Sequence, residues 1–525
     1  MFFLSKLLSI INNRNKKPEY KPGNKTPFTK DIEANLKAIN SILADCDDVI
    51  YREFYPKSKK GEKLYLIYAD EITDKSLLDE FVLQPLIQNT GAFKTDDIFI
   101  NNLRKNISNS LPVSQLKEYS YIEDAVVGII SGYAVLVIEG NEKAIGIEAI
   151  FVPTRNISEP TTDPSVRGPK ESFNELIRTN ISLVRHRIKD PRLKLKYRRI
   201  GSRSKTMIAI LFFEDIVDRR ILDQVNIKLD KLNIEFLLSS GQLAELIEDR
   251  KYSLFPQIQF TERPDTVCGS IVEGRVVLLV DGSANALILP VTLMALLLVA
   301  EDYHIRPSIA GFTRIIRMSA LLVSILLPSL YIAITSYNPE LIPLPLALFI
   351  ASTREGVPFT AFVEAFSMEI TFELLREASV RLPRAIGSTI GIVGGLVIGQ
   401  AAVAAGLVGP VMVVVVALTA IASFAIPNYE IAAAFRIIRF LLMVLSSIYG
   451  LYGVVLGFIL VMIHLVNIKS FGVPYMAPLA PFIYKDLKDT LIRISWQDLE
   501  GKKPKHINPQ EQQIQEGGNN HGNKG

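Results

Sequence analysis

Hydrophobic and polar positions follow two regimes along this chain. Up to about residue 281, apolar residues stand singly or in short runs among charged ones, whereas from 283 to 466 they form long stretches with few interruptions. In the first regime the spacing predicts helices over 31–43, 121–131, 173–188, 218–232 and 242–249. Strands are predicted over 64–68, 133–138, 144–152, 194–199, 207–213 and 276–280. Helices alternating with β-branched runs argue for α/β architecture. The Pro- and Ser-containing linker EPTTDPSVRGPKES, residues 159–172, divides this region into two soluble α/β subdomains, 29–158 and 159–281.

The second regime reads as an α-helical polytopic membrane domain over 282–470. A hydrocarbon core about 30 Å thick is crossed by about 20 apolar helical residues. Residues 318–337 and 410–427 reach that length. Residues 285–300 and 341–353 are shorter, each a half-helix, an interfacial segment or a short span. Residues 440–466 exceed one crossing, and Gly450 and Gly453 leave open one tilted helix or a tight hairpin. Lysine and arginine are plentiful before the apolar region and again from Lys469, which places both ends in the cytoplasm and requires an even number of crossings. The basic loop with Arg306, Arg314 and Arg317 favours 285–300 entering and returning, and the cation-free turn at 338–340 belongs outside.

At the N-terminus, residues 1–28 read as an amphipathic surface segment and linker, because the order of charge and the cleavage site of a signal peptide are missing. Residues 471–525 form a cytoplasmic tail, and its Gly- and Asn-rich end after about 501 has the composition of disorder.

Composition narrows the chemistry. A net charge of +4 on 525 residues, with no basic stripe interleaved with aromatics, argues against nucleic acid. Cys46 and Cys268 are too few and too far apart for a disulfide framework or thiolate metal site. The five histidines have no metal-ligand spacing, and no phosphate-cradling glycine loop follows a strand. No catalytic residue, metal or cofactor is therefore expected, and an enzyme is the poorer hypothesis.

The segment PFTAFVEAFSMEITFELLREASVRLP, 358–383, carries the most information. On a helix, Glu369, Glu373 and Glu377 share one side, with Arg376 beside them. In one reading the charges are solvated and paired, Glu373 with Arg376 and Glu377 with Arg381. In the other, the stripe is repeated around an oligomeric ring and lines a water-filled path that attracts cations. Val363 and Glu364, at the start of the same segment, complete the ion-path candidates. Further on, Gly387, Gly391, Gly395 and Gly399 recur every four residues, a face for close helix packing. Gln400 follows them, polar in an apolar setting. Arg354, Glu355, Asn428 and Glu430 read as interfacial anchors.

Several long stretches resemble one family. VRGPKESF at 166–173, ELIEDRKYSLFPQIQFTERPD at 245–265, GRVVLLVDGS at 274–283, REGVPF at 354–359, ELLREASVRLP at 373–383 and IGIVGGLVIGQAAV at 390–403 are similar to the A subunits of spore germinant receptors, the GerA family. The resemblance covers nearly all of 31–475. It implies a multi-pass subunit of the spore inner membrane, with its N-terminal domain on the cytoplasmic, spore-core side. Implied partners are a transporter-like B subunit that senses nutrients and a lipoprotein C subunit. The implied activity is that of a nutrient-gated channel in which a ring of A subunits, a pentamer, releases monovalent cations. An accessory channel subunit without a nutrient-sensing partner is the nearest alternative. A secondary transporter, which would show internal repeats, and a non-conducting scaffold are the others.

Overall fold

The computed structural model describes residues 25–55, 63–83, 116–151, 160, 167–381, 394–395, 397–490, 493, 504 and 507. Gly387, Gly391, most of the expected N-terminal surface segment and nearly all of the tail after 490 lie outside these residues. The chain forms two compact units. One comprises Met1–Ile157, Leu176–Arg198 and Met207–Asp215, the other Ser158–Glu175, Arg199–Thr206 and Ile216–Gly525.

The first unit contains α1 (Ile32–Ile42), β1 (Val49–Phe54), β2 (Leu64–Ala69), β3 (Leu116–Tyr119), α2 (Ile122–Ile130), β4 (Tyr133–Ile138), β5 (Ala144–Glu148) and α3 (Ile177–Arg187). Strands β6 (Leu193–Ile200) and β7 (Thr206–Phe213) follow side by side. Asp31 starts α1 by accepting from the backbone N–H groups of Glu33 and Ala34, which satisfies donors that the first turn leaves open. Strands β1 to β5 form an antiparallel sheet in the order β1-β2-β4-β5-β3. Its central strand β4 is apolar throughout because both faces are covered. Val135 and Val137 pack with α1 and α2, while Ala134, Leu136 and Ile138 face a second cluster with Leu64, Leu66 and Ile145. That division follows the two-residue period of a strand.

Two charged contacts in this unit lie beneath the surface. Arg185 of α3 donates to both carboxylate oxygens of Asp48, at 2.8 and 2.9 Å, and its third nitrogen donates to Leu193 O at 3.0 Å. Glu71 accepts a 2.6 Å hydrogen bond from the Tyr197 hydroxyl. Burial raises the Glu71 carboxyl to about 7 against the opposing pull of that bond, with Asp70 and Asp48 adding to the rise.

The second unit opens with α4 (Arg219–Asp230), α5 (Ser240–Ile247), β8 (Gln259–Thr261), α6 (Pro264–Val272), β9 (Val276–Val280), β10 (Ala286–Leu289) and the one-turn α7 (Leu293–Leu297). Strand β10 pairs antiparallel with both β9 and β8, which corrects the expectation that 285–300 is a short membrane segment. The run ALIL is fully buried as a strand. A four-residue apolar run fits a buried strand as well as a helix, and periodicity does not separate them. The enter-and-return path falls with it.

Helices follow: α8 (Pro307–Tyr337), α9 (Leu344–Arg354), α10 (Ala361–Arg381), helical residues at 394–395 and 397–404, α11 (Pro410–Phe424) and α12 (Tyr429–Asn467). After the two-residue strands β11 (Lys469–Ser470) and β12 (Val473–Pro474) comes α13 (Tyr484–Thr490). Helices α8 and α12 are long and apolar enough to cross a bilayer, and α9 and α11 are shorter apolar helices.

Helix α12 is a hairpin, which decides between the two shapes that its length left open. Gly450 sits at φ 57°, ψ −137°, backbone that glycine adopts without the penalty other residues meet. The chain reverses there, so Gly453 lies against Leu445, and Gly457 against Leu442 and Leu445. Far from the turn, Phe255 stacks edge-on with Phe435 of the outgoing arm, centroids 5.3 Å apart, and lies 5.9 Å from His464 of the returning arm. At about 1.5 Å per residue, the arms 429–449 and 451–467 are ~30 and ~25 Å long, each close to the thickness of a hydrocarbon core. Their outer faces, including Leu441, Ile448, Ile459, Leu460 and Ile463, are exposed and aliphatic. Tyr337, at the end of α8, packs on Gly450 and donates to Ser447 O.

Candidate functional site

The charged side chains inside the helical bundle converge on α10. Its period determines which of them are buried. Successive intervals of four residues advance 400°, so a stripe of glutamates drifts about 40° per step around the helix. Glu369 is accordingly buried, Glu373 half-buried and Glu377 exposed. The exposed side of α10 runs through Val363, Ser367, Ile370, Leu374, Glu377 and Arg381, positions at helical spacing along its whole length.

Facing the buried side is the outgoing arm of α12. Arg439 reaches Glu369 at 2.8 Å and Glu373 at 3.3 Å. Glu373 also meets Arg436 at 3.5 Å and Arg376 at 3.3 Å. Arg376 donates to Ser423 Oγ at 2.9 Å and stacks over Phe424, 4.8 Å from the ring centre. Three guanidinium groups thus face two carboxylates. Satisfaction is incomplete, because Glu369 Oε1, Arg376 Nε and Arg439 Nε are buried without hydrogen-bond partners. Arg439 lies ten residues, or about 15 Å, beyond Tyr429, halfway along an arm of membrane-crossing length.

Pro328 supplies an acceptor to this network. Proline has no N–H, so the carbonyl four residues earlier in α8 loses its helical donor. That carbonyl belongs to Ser324, and Arg439 Nη1 donates to it at 3.4 Å.

A second pair lies toward the start of α10. Glu364 is fully buried and takes Arg354 at 2.9 Å. Its other oxygen accepts the Gly409 N–H at 3.0 Å, at the positive end of α11. Arg354, expected as an interfacial anchor, instead neutralises a buried carboxylate.

The sequence candidates therefore separate. Glu369 and Glu373 share one network, Glu364 belongs to another, and Val363 and Glu377 lie on the open face, with Glu377 held by Arg381 at 2.6 Å. Gly395 and Gly399 face Phe372 of α10 and Val413 of α11, while Gln400 is exposed. Sequence reasoning missed Arg436 and Arg439, because the apolar span was taken to start at Phe440. Two arginines inside a run that is apolar from Ile431 onward were the available signal, since intramembrane charges are rarely incidental.

An α/β region joined to an apolar helical bundle with buried ion pairs defines the class, a membrane-associated protein. The chain belongs to the Bacillus/Clostridium GerA spore germination protein family, whose model matches residues 37–506. It is 39% identical over 486 residues to spore germination protein KA of Bacillus subtilis strain 168, covering 93% of this chain and 88% of that one. It is also 39% identical over 469 residues to spore germination protein B1 of the same strain, covering 88% and 95%. The crystal structure of the N-terminal domain of the A subunit of the Bacillus megaterium spore germinant receptor GerK3 aligns with a TM-score of 0.40 at 23% identity, covering 51% of this chain and 97% of that one.

Proposed function

We propose that this chain is the membrane subunit of a nutrient-gated germinant receptor in the spore inner membrane, with its soluble region on the cytoplasmic side. Copies assemble into a ring, a pentamer, and the exposed face of α10 lines a path for monovalent cations released at germination. A transporter-like B subunit senses the nutrient, and a lipoprotein C subunit completes the receptor.

The observation that carries this reading is the difference between exposed faces. That of α10 mixes Val363, Ile370 and Leu374 with Ser367, Glu377 and Arg381, whereas the outer face of the α12 arms is largely aliphatic. A mixed face suits water and ions, and an aliphatic one suits lipid. In this reading Val363 narrows the path and Glu377 draws cations to its mouth. Glu364, Glu369 and Glu373 hold α10 in register from behind. In this reading the bundle crosses an even number of times, so both ends share one side.

Potassium release from germinating spores tests the path. Glu377→Gln should slow release, and Val363→Phe should abolish it while the receptor still assembles. Unchanged release in both variants removes this face from the mechanism. Release that persists without the B subunit would make the chain an accessory channel instead.

A further inference from the structure

At the foot of the returning arm of α12 is a cavity of about 610 Å³, bordered by Lys228 of α4, Lys231 just past its end, Asp249, Arg250, Asn467 and Lys469. Its charges do not balance. Asp249 is already engaged, receiving Lys228 Nζ at 2.6 Å and the Phe471 N–H at 2.8 Å. Lys228 in turn donates to Ile247 O and lies 4.3 Å over the Phe471 ring, so these two charges neutralise each other. Lys231, Arg250 and Lys469 are exposed and form no ion pair among the described residues. Three cations therefore share one concave site.

Its position singles out the ligand. The returning arm is aliphatic and exposed through Leu460, Ile463 and Val466, then turns polar at Asn467 and Lys469. At that level Ser253 Oγ lies 3.2 Å from His464 Nε2, and Phe255 packs against both arms, which fixes the intervening loop. Beside Ser253, Tyr252 is 100% exposed and Leu254 is 44% exposed. A tyrosine and a leucine presented next to a basic cavity, where a helix passes from apolar to polar, match the boundary between acyl chains and headgroups.

We infer that this cavity binds the phosphate headgroup of an anionic phospholipid, with Tyr252 and Leu254 seated among the upper acyl chains. Lys231, Arg250 and Lys469 take the phosphate oxygens by charge-assisted hydrogen bonds. The inference rests on the bilayer reading of the helical bundle, and the test separates the two.

Full-length protein carried in phosphatidylcholine with and without phosphatidylglycerol is measured by native mass spectrometry for retained lipid. Phosphatidylglycerol should be retained preferentially, and combining Lys231→Gln, Arg250→Gln and Lys469→Gln should lower that preference by about tenfold or more. An unchanged preference overturns the site. Inorganic phosphate that displaces phosphatidylglycerol would reassign the site to a free anion and overturn the lipid. A reporter independent of the cavity charges is Tyr252→Trp, with the single tryptophan Trp496 replaced by Phe. Brominated lipid should quench it, whereas quenching by aqueous iodide alone overturns the insertion. Phe424→Trp in the same background is the control. If it is quenched by lipid and Tyr252→Trp is not, the loop assignment fails and the bilayer reading stands. If neither is quenched by lipid, both fail.

Discussion

Two buried ion pairs, one in each compact unit, have similar burial and different satisfaction. In the first unit Arg185 is saturated, with two nitrogens on Asp48 and the third on a carbonyl. In the helical bundle Arg439 is divided between two carboxylates and a carbonyl released by proline, and both it and Glu369 keep a buried atom unpaired. Removing one partner of a buried pair leaves an uncompensated charge, while a fully satisfied pair fixes one geometry. The first arrangement is a staple. The second leaves buried polar atoms unpaired, so it fixes its geometry less firmly.

The largest expected effect tests the staple. Arg185→Met strands the Asp48 carboxylate, and chemical denaturation of the first unit should show a loss of about 3–5 kcal/mol. Equal losses for Arg185→Lys and Arg439→Lys would erase the distinction, because lysine forfeits the bidentate geometry that only Arg185 uses.

Next in size is Glu71→Gln. The folded carboxyl holds its proton up to about 7, against an ordinary 4.5. Its contribution is therefore full below pH 4.5 and is lost as pH rises toward 7. Glutamine stays neutral and still accepts from Tyr197. The variant should gain stability over wild type across that window, approaching an order of 3 kcal/mol above pH 7. Hydrogen exchange of the β2 and β6 amides at several pH values checks this, and a gain independent of pH would discard the ionisation account.

Gly450→Ala is expected to cost about 1–3 kcal/mol from a positive-φ backbone that side chains rarely adopt, plus whatever movement Tyr337 requires. Thermal inactivation of the reconstituted protein measures it, and no change would mean that the arms do not turn at this residue. Smallest is Arg381→Ala, where an exposed i,i+4 pair is worth about 0.3–0.5 kcal/mol. A larger loss of stability would show that Glu377 is covered in the assembly.

Much of the α/β region was legible in the sequence. Asp31 and Asp218 mark helix starts, and β4 and β9 lie within a residue of their predicted bounds. Strand β1 escaped notice because VIYREF carries two exposed charged residues, Arg52 and Glu53, before its buried Phe54 and reads as mixed. Strand β10 was misread because apolar character alone does not distinguish a buried strand from a hydrocarbon-facing helix. In the bundle, the Glu373–Arg376 and Glu377–Arg381 pairs followed from helical spacing. The pairing of Glu369 with Arg439 did not, since it depends on how two helices 70 residues apart are rotated about their axes. Neither the helix period nor the local composition encodes that angle.

The missing N–H of Pro328 has an effect beyond its own helix. A carbonyl left vacant inside an apolar bundle is a docking point for any donor that arrives, and here the donor is a charged side chain from a neighbouring segment. Pro328→Ala would close that vacancy by giving Ser324 its helical partner again. The guanidinium would then rely on the two carboxylates alone. One imide nitrogen in α8 thereby tunes how firmly a distant arginine is moored.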